Sequence, residues 1–126
     1  MKPSAFLGLR TAIYYVPDMA KARAWYRTLL GIDPYFDQPF YIGFNVGGFE
    51  LGLHPAEGGH PPGSAGAAIY WGVERMTVAW PRALTLGAVA LSAPEDVGEG
   101  IQVAMVKDPF GNALGLIENA NFPNKA

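Results

Sequence analysis

The chain repeats itself, and no other feature narrows its possible folds as much. The segment AIYYVPDMAKARAWYRTLLG begins at Ala12, and AIYWGVERMTVAWPRALTLG begins at Ala68, 56 residues later. Both open on Ala-Ile-Tyr, place an aromatic fourth and an acid seventh, and close on Leu-Gly. A shorter echo follows each segment, Leu51-Gly52-Leu53 and then Leu114-Gly115-Leu116. Glycine at the centre of a strand costs backbone entropy and packs no side chain. Its return between the same two leucines marks equivalent strands of a duplicated unit.

Local patterns fill in that unit. Residues 11–16 (TAIYYV) are β-branched and aromatic and predict a strand. Pro17 breaks it, and Asp18 is placed to cap a helix. Met19, Ala22, Tyr26, Leu29 and Leu30 then recur at helical spacing, and Gly31 supplies the stop. Residues 40–46 and 49–54 read as a hairpin about Gly47-Gly48. A Pro- and Gly-dense loop at 55–66 joins the halves. The second half repeats the plan, with strands over 88–93, 101–106 and 113–118 and the turn KDPFGN before the last. Pro81 falls in the second helix, which must therefore begin near Trp80 or bend there. The prediction is an α+β fold of two tandem βαβββ modules within one domain, 1–126, with module one about 9–54 and module two about 67–119.

Composition excludes several classes of function. With 126 residues, half of them hydrophobic, the chain can bury a substantial core. The formal net charge is −2 and the basic residues are scattered, so nucleic acid is not an expected partner. No apolar run reaches the roughly 20 residues of a membrane span, and the N-terminal stretch is too short and broken for a signal peptide. Absence of cysteine rules out disulfides, thiolate metal sites and a cysteine nucleophile. A cytoplasmic location is the expectation.

VPDMAKARAWYRTLLG near the start and VKDPFGNALGLIEN near the end resemble the vicinal oxygen chelate superfamily, which contains glyoxalase I, the extradiol dioxygenases and the bleomycin and fosfomycin resistance proteins. The resemblance implies curved mixed sheets around a cleft, and a homodimer. In metal-dependent members each module supplies a His or Gln from its first strand and a Glu from its last. Carried onto this chain, those positions fall on Thr11, on Ala68 (or Ala67 by the internal repeat), on Gly52 and on Gly115. None carries a good donor for such an ion. No metal and no cofactor are therefore expected.

Strand alternation sorts the remaining candidates. Phe49, Leu51 and Leu53 should share a core face, leaving Glu50, Gly52 and His54 toward the cleft. Thr11, Ile13, Tyr15, Ala68, Tyr70 and Gly72 should join them from the first strands, and Gln102, Ala104, Gly115 and Ile117 from the second hairpin. The small residues leave room for a planar ligand, with Tyr15 and Tyr70 placed to stack on it and Glu50 to meet a cationic group. Tyr15, Glu50, His54, Tyr70 and Gln102 are thus the expected ligand-binding residues, and Glu50 and His54 the only catalytic candidates. Two functions follow. One is metal-free binding of a small aromatic or cationic molecule. The other is an enzyme of glyoxalase or dioxygenase type, with either an atypical metal site or metal-independent acid–base chemistry. An atypical site on Glu50 and His54 would need a third ligand, such as Glu118 or Gln102; His60 lies in the loop.

Overall fold

The computed structural model describes residues 9–57, 62–63, 68–98 and 100–120. His60 and Ala67 lie outside them. Among the described residues the order is β1 (Thr11–Val16), α1 (Met19–Leu30), β2 (Phe36–Gln38), β3 (Tyr41–Val46), β4 (Phe49–Pro55), β5 (Tyr70–Gly72), α2 (Met76–Thr85), β6 (Val89–Gly98), β7 (Ile101–Lys107) and β8 (Ala113–Glu118). Two four-stranded sheets form, ordered β1-β4-β3-β2 and β5-β8-β7-β6. In each, the first and last strands of a module pair in parallel while the other pairs are antiparallel. These are the tandem βαβββ modules expected from the repeat. No helix among the described residues is long and apolar enough to cross a membrane.

Local signals act where the sequence places them. The Asp18 side chain accepts from the Lys21 amide at 3.0 Å, and Gly31, with φ at 74°, closes α1 by donating to the Arg27 carbonyl. Gly47 and Gly48, both at positive φ, form the tight turn between β3 and β4. Three elements depart from expectation. β2 is an additional short strand, and β6 extends to Gly98 through three irregularities in its pairing with β7. α2 begins at Met76 and runs through Pro81, so the proline sits in its interior, not at its start. The Pro81 ring nitrogen cannot donate to the Thr77 carbonyl. Glu118 compensates at the other end, where its Oε1 accepts from the Met76 amide at 2.6 Å.

The larger of two core clusters spans both modules on the helix-bearing side of the sheets, and a smaller one gathers Met76, Ala104 and Leu116 under α2. Tyr14, Val16, Phe44, Leu51 and Leu53 from the first sheet meet Ala22 and Tyr26 of α1, and they pack with Ala83, Ala88, Val106 and Leu114 of the second module. Phe49 does not join Leu51 and Leu53 in that core. It stands at the turn end of β4 and is 41% exposed.

Polar bonds stitch the halves together inside this apolar layer. The turn carboxylate Asp108 is buried, and its Oδ1 accepts from the amides of Phe110 and Asn112 at 2.9 Å. Its Oδ2 accepts from the Tyr26 hydroxyl at 2.5 Å, tying α1 to the KDPFGN turn. Asn112 Nδ2 donates to the Tyr15 carbonyl, and Trp71 Nε1 donates to the Tyr14 hydroxyl, each at 2.9 Å. Burial pushes the Tyr14 hydroxyl up to about 12 and raises Tyr26 well above its ordinary value, so both remain protonated donors and acceptors at neutral pH. Tyr26→Phe removes one bond to a buried carboxylate while keeping the ring. Urea denaturation should show a loss of about 1.5–3 kcal/mol, and an unchanged midpoint would show that the Asp108 bond does not join the modules.

Candidate functional site

The face of the first sheet turned away from the helices carries the polar cluster. Register fixes its layout: Thr11 lies level with Glu50, Ile13 with Gly52 and Tyr15 with His54 across β1 and β4. Across β4 and β3, Glu50 pairs with Asn45 and Gly52 with Gly43. Two glycines therefore meet across adjacent strands and leave a bare strip of backbone.

Aromatic rings occupy that strip. A Cβ on Gly52 would lie 2.1 Å from Tyr41 Oη and 2.7 Å from its Cζ. A Cβ on Gly43 would lie 3.0 Å from Tyr35 Cε1. Both hydroxyls converge on Glu50. Tyr41 donates to Oε1 at 2.6 Å, and Tyr35 donates to Oε2. Thr11 Oγ1 stands 3.4 Å from Tyr41 Oη. Partial burial pushes the Glu50 carboxyl upward, but the bonds from Tyr35, Tyr41 and Thr11 outweigh it and hold the group below the usual carboxylate range. Burial, and then the bond to Glu50, push Tyr41 up to about 12. The bond to Glu50 raises Tyr35 as well. Across the neutral range the cluster is one anion held between two protonated phenols.

Beside it lies a shallow open depression of about 240 Å³, lined by Arg10, Tyr35, Asn45, Gly48, Phe49 and Glu50. Aromatic surface continues the other way, where Phe36 lies 6.3 Å from the Tyr41 ring and 6.0 Å from Phe40.

Of the residues expected from sequence, Tyr15, Glu50 and His54 share this face. His54 is set apart from Glu50 in its bonding, with Nδ1 2.9 Å from the Pro55 carbonyl and its ring 5.3 Å from that of Tyr15. Tyr70 lies on the second sheet, level with Gly115, 42% exposed. Gln102 is misplaced by the alternation read from sequence. It pairs with Glu118, and Ala104 pairs with Leu116, on the helix-bearing side; Val103 and Met105 take the open face instead. The room expected over the central glycines is also filled by the protein itself. A Cβ on Gly115 would meet Tyr70 Cδ1 at 2.7 Å and the Ile69 carbonyl at 2.5 Å.

Tyr35 and Tyr41 were not legible as site residues: the run YFDQPFY shows aromatic density, but strand register places the rings over Gly43 and Gly52. The divalent ion implied by the resemblance does not fit here. Thr11, Gly52, Ala68 and Gly115 offer one hydroxyl among them, and the Tyr41 ring stands where a side chain on residue 52 would project. Glu118 is committed to capping α2. No group of three His, Asp or Glu suited to a metal occurs among the described residues.

The family model for the glyoxalase/bleomycin resistance protein/dioxygenase superfamily matches residues 8–116. The chain belongs to this superfamily. Its fold is similar to that of a glyoxalase-related enzyme from Fulvimarina pelagi, at 17% identity, 96% of each chain covered and a TM-score of 0.77. A superfamily member from Sphaerobacter thermophilus is 23% identical, with 90% of this chain and 98% of that one covered and a TM-score of 0.75. A lactoylglutathione lyase from Agrobacterium tumefaciens is 18% identical over 94% of this chain and 100% of its own, with a TM-score of 0.72. No curated protein matches the chain. Within the superfamily fold, then, this chain places tyrosine rings over both central glycines.

The two glycines should respond differently to a methyl group. Gly115→Ala drives Cβ into the Ile69 carbonyl, so backbone must move, at a cost of about 1–3 kcal/mol. Gly52→Ala meets only the end of a side chain, and the Tyr41 ring can swing out, so the net cost should stay under about 1 kcal/mol. Equal urea midpoints for the two variants would contradict this ordering.

Proposed function

We propose that this superfamily member binds a small aromatic or cationic molecule on the open face of its first sheet, with Glu50 as the charged anchor. The observation that carries the reading is a carboxylate held ionised between Tyr35 and Tyr41 at the edge of a lined depression. A half-buried anion beside aromatic surface favours a cation, chiefly through Coulomb attraction. The apolar area around it, including Ile13, Phe36 and Phe40, suits a planar body.

The superfamily also includes lyases, and an enzymatic reading would need either metal donors or a coupled acid–base pair. The donor positions are emptied or covered by rings, and Glu50 and His54 are held by different partners. Binding is therefore the reading that the geometry supports best.

A thermal-shift screen with planar aromatic cations tests it. A compound at tenfold its dissociation constant should raise the melting temperature by about 3–6 °C. The rise should vanish in Glu50→Gln and persist in Lys107→Gln, a substitution on the exposed end of β7. No stabilisation by any such cation, or an equal response in Glu50→Gln, would overturn the proposal.

A further inference from the structure

The tyrosine pair also determines which hydrogen atoms the site can offer. A phenol carries a single hydroxyl proton. Tyr35 and Tyr41 each direct theirs to Glu50. Thr11 Oγ1, 3.4 Å from Tyr41 Oη, turns its own proton into the same cluster, toward Tyr41 Oη or toward Glu50. All three hydroxyl protons around the carboxylate thus point inward, and what this cluster presents to a ligand is lone pairs, the N–H donors of the depression coming from Arg10 and Asn45. Each carboxylate oxygen keeps acceptor capacity beyond the one tyrosine bond it receives.

Building on the binding reading above, we propose that the site selects monocations whose charged group bears N–H bonds, such as aromatic amidinium or benzylic ammonium compounds, over quaternary ammonium compounds of similar shape and over neutral aromatics. An N–H cation adds charge-assisted hydrogen bonds to its Coulomb attraction, and a planar amidinium can address both carboxylate oxygens at once. A quaternary ammonium keeps only the Coulomb and ring-face attractions. The rings here are poorly placed to compensate. Tyr35 and Phe40 are 65% and 63% exposed, and cation–π attraction is weak where water competes. A ligand carbonyl placed at Glu50 would set its own lone pairs against those of the site and find no proton among the three hydroxyls. Arg10 lines the same depression, which disfavours a second positive centre on that side.

Calorimetric titration of the full chain at pH 7 with benzamidinium, benzylammonium, phenyltrimethylammonium and benzamide tests the selectivity. Benzamidinium and benzylammonium should bind at least about tenfold more tightly than phenyltrimethylammonium, and also more tightly than benzamide, whose N–H groups carry no charge. In Glu50→Gln the gap between the primary and quaternary cations should close to within about twofold. If phenyltrimethylammonium binds wild type as tightly as benzamidinium and loses affinity in Glu50→Gln, the selectivity proposal falls and the binding reading stands. If none of the three cations binds, both fall. Comparing the probes on wild type alone needs no variant to fold.

Discussion

Gly43 and Gly52 face one another across β3 and β4, and the open face of the first sheet takes its chemistry from that pairing. Without side chains there, two tyrosine rings can approach the backbone closely enough for their hydroxyls to meet at one carboxylate. A larger residue at position 52 would force Tyr41 outward and free one oxygen of Glu50. Glycine in a strand is a local cost, and here close packing of an aromatic ring over the backbone offsets it. The same packing occupies the place where a residue-52 side chain would project toward the cleft. The absence of a side chain at residue 52 and the tyrosine-held anion thus depend on the same glycine.

The second sheet uses the device without the chemistry. Tyr70 leans over Gly115, but the neighbouring open-face positions on β7 and β8 are Val103, Met105 and Ile117, and the carboxylate on that side, Glu95, stands on β6 opposite Val103. The acid of β8, Glu118, faces the helix and caps α2, an element whose N-cap residue, Arg75, forms no side-chain cap. The two modules therefore share a strand order but present different side chains on their open faces. The buried Asp108 bond to Tyr26 keeps the two modules in one core cluster, so the polar face and the apolar face are held in fixed relation.

Much of the frame was legible because its signals are local. Residues 11–16 formed the expected strand, Asp18 and Gly31 bounded α1 as caps, and the Gly47-Gly48 turn set the first hairpin. The resemblance carried by the two motifs agrees with the family match. The side of β7 was misread because Ile101, Val103 and Met105 form the more apolar face of IQVAMV, whereas the buried side carries Gln102, Ala104 and Val106, with Ala104 packed against Met76 of α2. The start of α2 was hidden because Pro81 is a strong breaker locally, while the cap that sustains the helix comes from Glu118, 42 residues along the chain. Tyr35 and Tyr41 were missed for a related reason. Their role depends on which glycines lie beneath them, and that is a matter of strand register.

Titration of the Glu50 carboxyl by carbon-detected NMR tests the central claim most directly, because it reads the effect of both tyrosine hydroxyls on the anion. A carboxyl held down in the folded chain contributes stability above its ordinary range, and that contribution is lost as pH falls through the folded midpoint. The midpoint should lie below the ordinary glutamate value of 4.5, with burial outweighed by the Tyr35, Tyr41 and Thr11 bonds. A midpoint at or above that value would mean that the hydroxyls do not converge on Glu50 in solution, and the account of this face would be wrong.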